Sequence, residues 1–187
     1  MNEAHFKSAF LLSPIVKKHI PLSPGLKQAA VLVPFVVRDK KLHLLLTRRA
    51  LHLRHHPGQI SFPGGRFETT DNTLSNTALR ETEEEIGISH DLINILGELG
   101  HYRTGSNYVV TPFVGFVDPN YQLTIDANEV EDVFEVPWQF FVERESHVQI
   151  EFRRKGDLHQ VHFMPFNEKM IWGTTAQMIH DLVAHFE

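Results

Sequence analysis

Apolar and polar positions follow three textures along the chain. Residues 29–37 are almost continuously apolar, as in a strand covered on both faces, although Pro34 argues against a fully central position. Asp39-Lys40 reads as a turn and residues 42–47 as the returning strand. Residues 58–62 predict a short strand that ends at Pro63-Gly64-Gly65. The strongest helical period runs over residues 74–86, with Asp71 or Thr73 to cap its start and Gly87 to end it. Strands are expected at 95–102 and 108–117, and a short helix at 139–145. Residues 148–153 and 158–163 flank Lys155-Gly156-Asp157 as a hairpin, and 174–185 predict a closing amphipathic helix. Before Gln28 the texture changes. Phe6, Phe10 and Leu11 stand at helical spacing, and Pro14, Pro21 and Pro24 interrupt it. The expectation is a helical extension over residues 1–27 and one domain over 28–187. That domain is a mixed sheet layered with helices, of the α/β or α+β class.

Composition narrows the function classes. Hydrophobic residues make up 42% of the 187 and charged residues 22%, which fits a folded domain. A net charge of −5 provides no basic field for non-specific nucleic-acid binding. The absence of cysteine excludes disulfides and thiolate metal sites and fits a reducing compartment. No apolar run reaches the roughly 18 residues of a membrane span. Met-Asn-Glu-Ala-His does not begin a secretory signal. A cytoplasmic protein without membrane or nucleic-acid partners is expected, and a homodimer is compatible with the sequence.

The chemistry concentrates in the helix over residues 74–86. At about 100° per residue, Leu74, Ala78, Leu79, Thr82 and Ile86 form its apolar face. Glu81, Glu84 and Glu85 share one sector about 100° wide, and Glu83 falls on the opposite flank. Like charges at these spacings destabilise a helix by about 0.2–0.5 kcal/mol per pair, so a cation is expected among them. Hard ions such as Mg²⁺ or Mn²⁺ prefer carboxylate oxygens and also bind phosphate. Gly64-Gly65 just upstream allows backbone to approach a ligand or metal closely.

At these residues the sequence resembles the Nudix hydrolases. Their box, G-x5-E-x7-R-E-U-x-E-E-x-G-U with U aliphatic, matches at Arg80-Glu81-Thr82-Glu83-Glu84-Glu85-Ile86-Gly87-Ile88, with Thr82 in an aliphatic slot. Counted from Gly65, the spacing is one residue longer than the box, and Asp71 or Asn72 stands at its first glutamate. Residues 45–65 resemble the signature of the coenzyme A pyrophosphatase branch, L-L-T-x-R-S-x3-R-x3-G-x-V-x-F-P-G-G. Ala50 replaces its serine and Ile60 its valine. Val109-Val110-Thr111-Pro112 and residues 129–137 are similar as well.

The resemblance implies a Nudix fold, an α/β/α sandwich with a mixed central sheet. It implies attack of water on a diphosphate with Mg²⁺ or Mn²⁺ as cofactor. From CoA or a derivative as the small-molecule nucleotide substrate, the products are 3′,5′-ADP and 4′-phosphopantetheine. Glu81, Glu84 and Glu85 are the expected metal ligands. Glu84 is the favoured base, and Arg80 holds a carboxylate in place. Arg49 and Arg54, with Gly64 and Gly65, are expected at the substrate, guanidinium being suited to phosphate. Arg48 fills a variable slot expected to face solvent. His52, His55 and His56, among 13 histidines, do not make a zinc set. Glu129 and Glu131 remain alternatives between late acidic ligands and surface charge. The competing functions are hydrolysis of ADP-ribose or a nucleoside triphosphate, and nucleotide sensing without cleavage.

Overall fold

The structure, a computed structural model, describes residues 1–13, 23, 25–154 and 157–186. The apolar run becomes β1 (Lys27–Arg38), which folds back into β2 (Lys41–Arg49). Asp39 and Lys40 both take positive φ, 49° and 62°. That is the two-residue turn whose twist matches an antiparallel pair. On its other edge β1 lies parallel to β7 (Tyr108–Val117), from Lys27↔Tyr108 to Phe35↔Phe116. β5 (Ile93–Glu98) and β6 (Tyr102–Arg103) pair antiparallel with β7. β8 (Val130–Pro137) pairs with the outer edge of β2. The result is a mixed sheet.

The sheet is forked where the function-bearing residues stand. β1 and β2 pair only from Arg38↔Lys41 to Phe35↔Leu44. Beyond that they part, and the segment 60–66 fills the split. β3 (Ile60–Ser61) pairs with β2, and β4 (Gly64–Arg66) pairs with β1 at Ala29–Val31. The fork explains Pro34, which stands in a central strand after all. The Leu32 N–H donates to Pro63 O on the fork side. Two residues on, the nitrogen of Pro34 faces the same side, in the gap where β4 pairing has ended and β2 pairing has not begun. No ladder bond is lost there.

Alternation along β1 and β2 distributes the core to two faces. Ala30, Leu32, Val36 and Leu45 pack on one side with Ala78, Ile86 and Ile88, beneath helix α2 (Leu74–Ile86). Val33, Phe35, Leu42, Leu44 and Leu46 pack on the other, under α1 (Glu3–Leu12), α3 (Trp138–Glu143) and α4 (Gly173–Ala184). A second sheet orders β11 (Lys169–Trp172), β10 (Asp157–Phe166) and β9 (Val148–Arg154). The architecture is the helix–sheet–helix sandwich of the Nudix fold.

The observed helices and strands refine the expected ones. α2 keeps its expected bounds, α3 stops early at Arg144, which takes φ 56°, and the 95–102 strand divides into β5 and β6. β8 and β11 are strands that local patterning does not reveal. Pro14, Pro21, Pro24 and the Lys155-Gly156 turn lie outside the described residues. The expected N-terminal helix is not peripheral in its packing. Phe6 is fully buried, its ring 4.5 Å from Phe35 and 4.6 Å from Phe186. Replacing Phe6 with Ala should lower unfolding free energy by ~3–5 kcal/mol, the range for a large buried aromatic. Urea titration followed by circular dichroism measures this, and a loss below ~1 kcal/mol would show that α1 is dispensable to the core.

Candidate active site

α2 starts where the Thr73 hydroxyl accepts the Asn76 N–H at 3.2 Å, and it stops at Gly87, φ 75°. Thr73, not Asp71, is the cap. Thr82 fits its buried slot because its hydroxyl donates to Ala78 O at 2.6 Å. The last carbonyls of the helix are met from outside it. Thr124 N–H donates to Ile86 O and Asp126 N–H to Glu85 O, at 2.9 and 3.0 Å. Those bonds dock the segment 124–129 against the C-terminal end of α2. Ala50 N–H then fixes Glu129 O at 2.9 Å.

The two glycines bring the backbone under the carboxylates. Gly64 adopts φ 152°, and a Cβ there would overlap Ala30 O and come within 2.6 Å of Val31 Cα. A Cβ on Gly65 would occupy the space of the Glu81 carboxylate. Gly64 is therefore required by its backbone, and Gly65 by the helix above it. The Gly64 N–H donates to Glu85 Oε2 at 3.2 Å. Glu85 is 5% exposed. Burial pushes its carboxyl up to about 8, against the Gly64 N–H, while Glu81 and Glu129 add repulsion and Arg49 opposes it. Glu81 is also raised by burial, with Arg80 pulling the other way.

Arg80 is the hub of the site. Its Nε donates to Asp71 Oδ1 at 2.7 Å, and Nη1 lies 2.8 Å from Glu84 Oε2. Nη2 lies 3.0 Å from Glu81 Oε1 and donates to Arg66 O at 3.1 Å. Asp71 is buried and also accepts the Glu68 N–H and the Thr77 hydroxyl, each at 2.8 Å. The Arg80 guanidinium holds the Asp71 carboxyl well below the usual range, and the Asp71 carboxylate raises Arg80 in turn. Of the two residues at the first box position, Asp71 thus faces the site, and it anchors Arg80. Asn72 is an exposed turn residue with φ 62°.

The expected residues are gathered unequally. Glu81, Glu85, Gly64 and Gly65 converge, and Arg49 and Glu129 act on Glu85 through their charge. Glu84 is 60% exposed and joins through Arg80. Arg54, His52, His55 and His56 are exposed on the loop after β2. Arg48 is half-buried rather than solvent-facing, because its guanidinium lies over Gly58, 3.8 Å from where a Cβ would stand. Glu83 is off the cluster and pairs with His90 at 3.1 Å. Of the two late glutamates, Glu129 acts electrostatically on Glu81 and Glu85, while Glu131 is not among the charges acting on either. Its signal lies in tertiary docking, invisible to local periodicity.

Among the described residues, no three His, Asp or Glu side chains form a finished cation cage. The donor chemistry nevertheless fits a divalent ion. Glu81 and Glu85 present hard oxygens beside bare backbone, and their mutual repulsion in a partly buried site lacks a full counter-charge.

The family model for the NUDIX domain matches residues 26–181. The chain belongs to the Nudix hydrolase family. It is 40% identical over 161 residues to an uncharacterized Nudix hydrolase, NudL, of Photorhabdus laumondii, covering 86% of each chain. It is also 40% identical over 156 residues to a NudL of Yersinia pestis, covering 83% of this chain and 78% of that one. Among solved structures, an Ap4A hydrolase binary complex of C. elegans superposes with TM-score 0.56 at 15% identity, over 86% of this chain and 95% of that one. A Nudix hydrolase of Alicyclobacillus acidocaldarius gives TM-score 0.52 at 18% identity, over 85% and 91%. These two likenesses concern the fold. Family membership makes the chain a hydrolase of pyrophosphate bonds, and Nudix hydrolases generally use divalent ions such as Mg²⁺ or Mn²⁺. Among the described residues, no helix is long and apolar enough to cross a membrane.

The raised Glu85 carboxyl has a definite stability signature. A carboxyl raised in the folded state favours folding while protonated. That contribution is fully present below its ordinary value of 4.5 and is lost as pH rises through about 8. Denaturant titrations of the metal-free Nudix domain should therefore show stability falling across this window, and Glu85→Gln should flatten the fall. A wild-type profile no steeper than that of Glu85→Gln would contradict the burial assigned to this carboxylate.

Proposed function

We propose that this Nudix hydrolase cleaves the diphosphate of coenzyme A or a derivative, releasing 3′,5′-ADP and 4′-phosphopantetheine or its acyl form, in the cytoplasm. The observation that carries the substrate reading is the 45–65 signature, which ends in the Gly64-Gly65 turn beneath Glu81 and Glu85. In this reading Glu81 and Glu85 hold the divalent ion, and Glu84 is a further ligand or the base. When bound, the ion supplies charge neutralisation of the diphosphate and acidifies the attacking water. Glu84 is the solvent-accessible carboxylate of the three and accepts the proton of that water. Arg80 keeps one oxygen of Glu84 in place, and Asp71 keeps Arg80 in place. Water oxygen bonds to one phosphorus, the bridging P–O bond breaks, and the bridge oxygen leaves on the other phosphate.

Discrimination among nucleotides arises outside the box. CoA carries a 3′-phosphate that ADP-ribose lacks, and guanidinium groups recognise such a group well. Arg49, beside Glu85, and Arg54, exposed on the loop after β2, are the proposed cationic donors. Gly64 and Gly65 admit the diphosphate close to backbone.

Activity should vanish with EDTA and return with Mg²⁺ or Mn²⁺. Glu84→Gln should reduce kcat by ~10²–10⁴ with KM little changed, as for loss of a general base. Glu85→Gln should weaken metal activation, whereas Glu83→Gln should not. Normal turnover in Glu84→Gln would move the base elsewhere.

Steady-state kinetics on CoA, acyl-CoAs, dephospho-CoA and ADP-ribose test the substrate independently. CoA should exceed dephospho-CoA in kcat/KM, and Arg54→Ala should narrow that gap. A higher kcat/KM on ADP-ribose than on any CoA species would overturn the CoA assignment and leave the hydrolase standing. Nucleotide binding without turnover under any metal would instead indicate a sensor.

A further inference from the structure

The three-stranded sheet has one face packed and one face bare. Its inner face carries His162, Met164 and Ile171, all buried, and β10 and β11 contact α4. Side chains alternate along each strand, and directly paired residues share a face. The register therefore sets Val148, Phe163 and Trp172 in one row across the outer face, with Ile150 and Val161 in the next. The parallel Phe163 and Trp172 rings, 6.3 Å apart and 7° from coplanar, lie on one side as that register requires. Phe152 and Met170 extend the rows. Val148, Ile150, Phe152, Met170 and Trp172 are each between 41% and 52% exposed.

Seven apolar side chains at such exposure present a continuous surface on the order of 500 Å², at the upper end of what a monomer leaves to water. A stable interface needs about 800 Å² per partner, so this face supplies most of it and a polar rim the remainder. Among the described side chains of these rows, none is charged. Two copies can therefore meet across a two-fold axis without bringing like charges together. A flat antiparallel face also stacks readily on its own copy, at about 10 Å between sheets.

We propose that the outer face of the β9–β10–β11 sheet is an interface between two copies of this chain, packed face to face about a two-fold axis. A second copy accounts for the face better than a charged ligand or a polar partner does, because the described surface offers those neither ion pairs nor hydrogen-bonding side chains. This inference is independent of the substrate assigned above.

Sedimentation of the full chain over a dilution series tests it. The wild type should sediment as two copies at micromolar concentration. Ile150→Glu and Trp172→Glu, at the two outer strands, should each weaken self-association by ~100-fold or more, since each buries an unpaired charge. Both sites are half exposed in one chain, so far-UV circular dichroism should remain that of the wild type. An unsubstituted readout is available as well. Trp138 is buried in the core, so dilution of the wild type should shift only Trp172 emission to the red. The chain has no cysteine, so Val161→Cys on the central strand should form a single disulfide-linked dimer under mild oxidation. A wild type that sediments as one copy at every concentration overturns the proposal. So does a dimer whose mass is unchanged by both charged variants, or one in which Val161→Cys does not cross-link.

Discussion

A carboxylate with little water around it needs either a proton, a donor or a cation, and Glu85 has one backbone donor. The Gly64 N–H reaches it only because α2 lies directly on the glycine turn, and α2 lies there only because neither glycine has a side chain. Everything else in the site follows from that approach. Glu81, one turn earlier, is forced over Gly65. Arg80 is left at the helix edge, where it gathers Asp71, Glu81 and Glu84. Had the turn carried Cβ atoms, the helix would have risen and the cluster would have opened to water, its charges screened and cheap to keep.

The forked sheet is what makes the turn available. A continuous β1–β2 ladder would leave no room at the centre of the sheet for another segment. Because the two strands separate after Phe35↔Leu44, residues 60–66 enter the split and pair to both sides. A proline belongs in this arrangement, since it cannot donate and so does not favour closing the fork. The upstream signature and the box are thus two parts of one construction, joined by hydrogen bonds rather than by adjacency alone.

What could be read from the sequence was what short-range physics determines. Thr73 and Gly87 bound α2 because capping chemistry acts within a few residues, and the helical period correctly separated Glu83 from Glu81 and Glu85. β8 escaped notice because its acidic residues obscure the alternation, and its pairing with β2 shifts at Arg48/Arg49. Pro34 misled because the rule against central prolines assumes an unbroken ladder. Asp71 and Glu129 acquire their roles only through tertiary contact. Asp71 meets Arg80 nine residues away, and Glu129 reaches the cluster because the 124–129 segment satisfies the end of α2. The wheel also placed Glu84 in the right sector without revealing that Arg80 engages it.

The ring of Phe6 rests on Phe35, Phe116, Trp138 and Phe186 at once. The first helix and the last aromatic of the chain therefore close a single contact, across nearly the whole length of the polypeptide. Closing so long a loop is entropically costly and is late to form in a folding reaction that gains from near contacts first. During synthesis the opening helix must wait, its aromatic face uncovered, until the final residues have left the ribosome. The same closure brings the two ends of the fold together, so an artificial linker joining them would shorten the wait and would let new termini be cut into a surface loop.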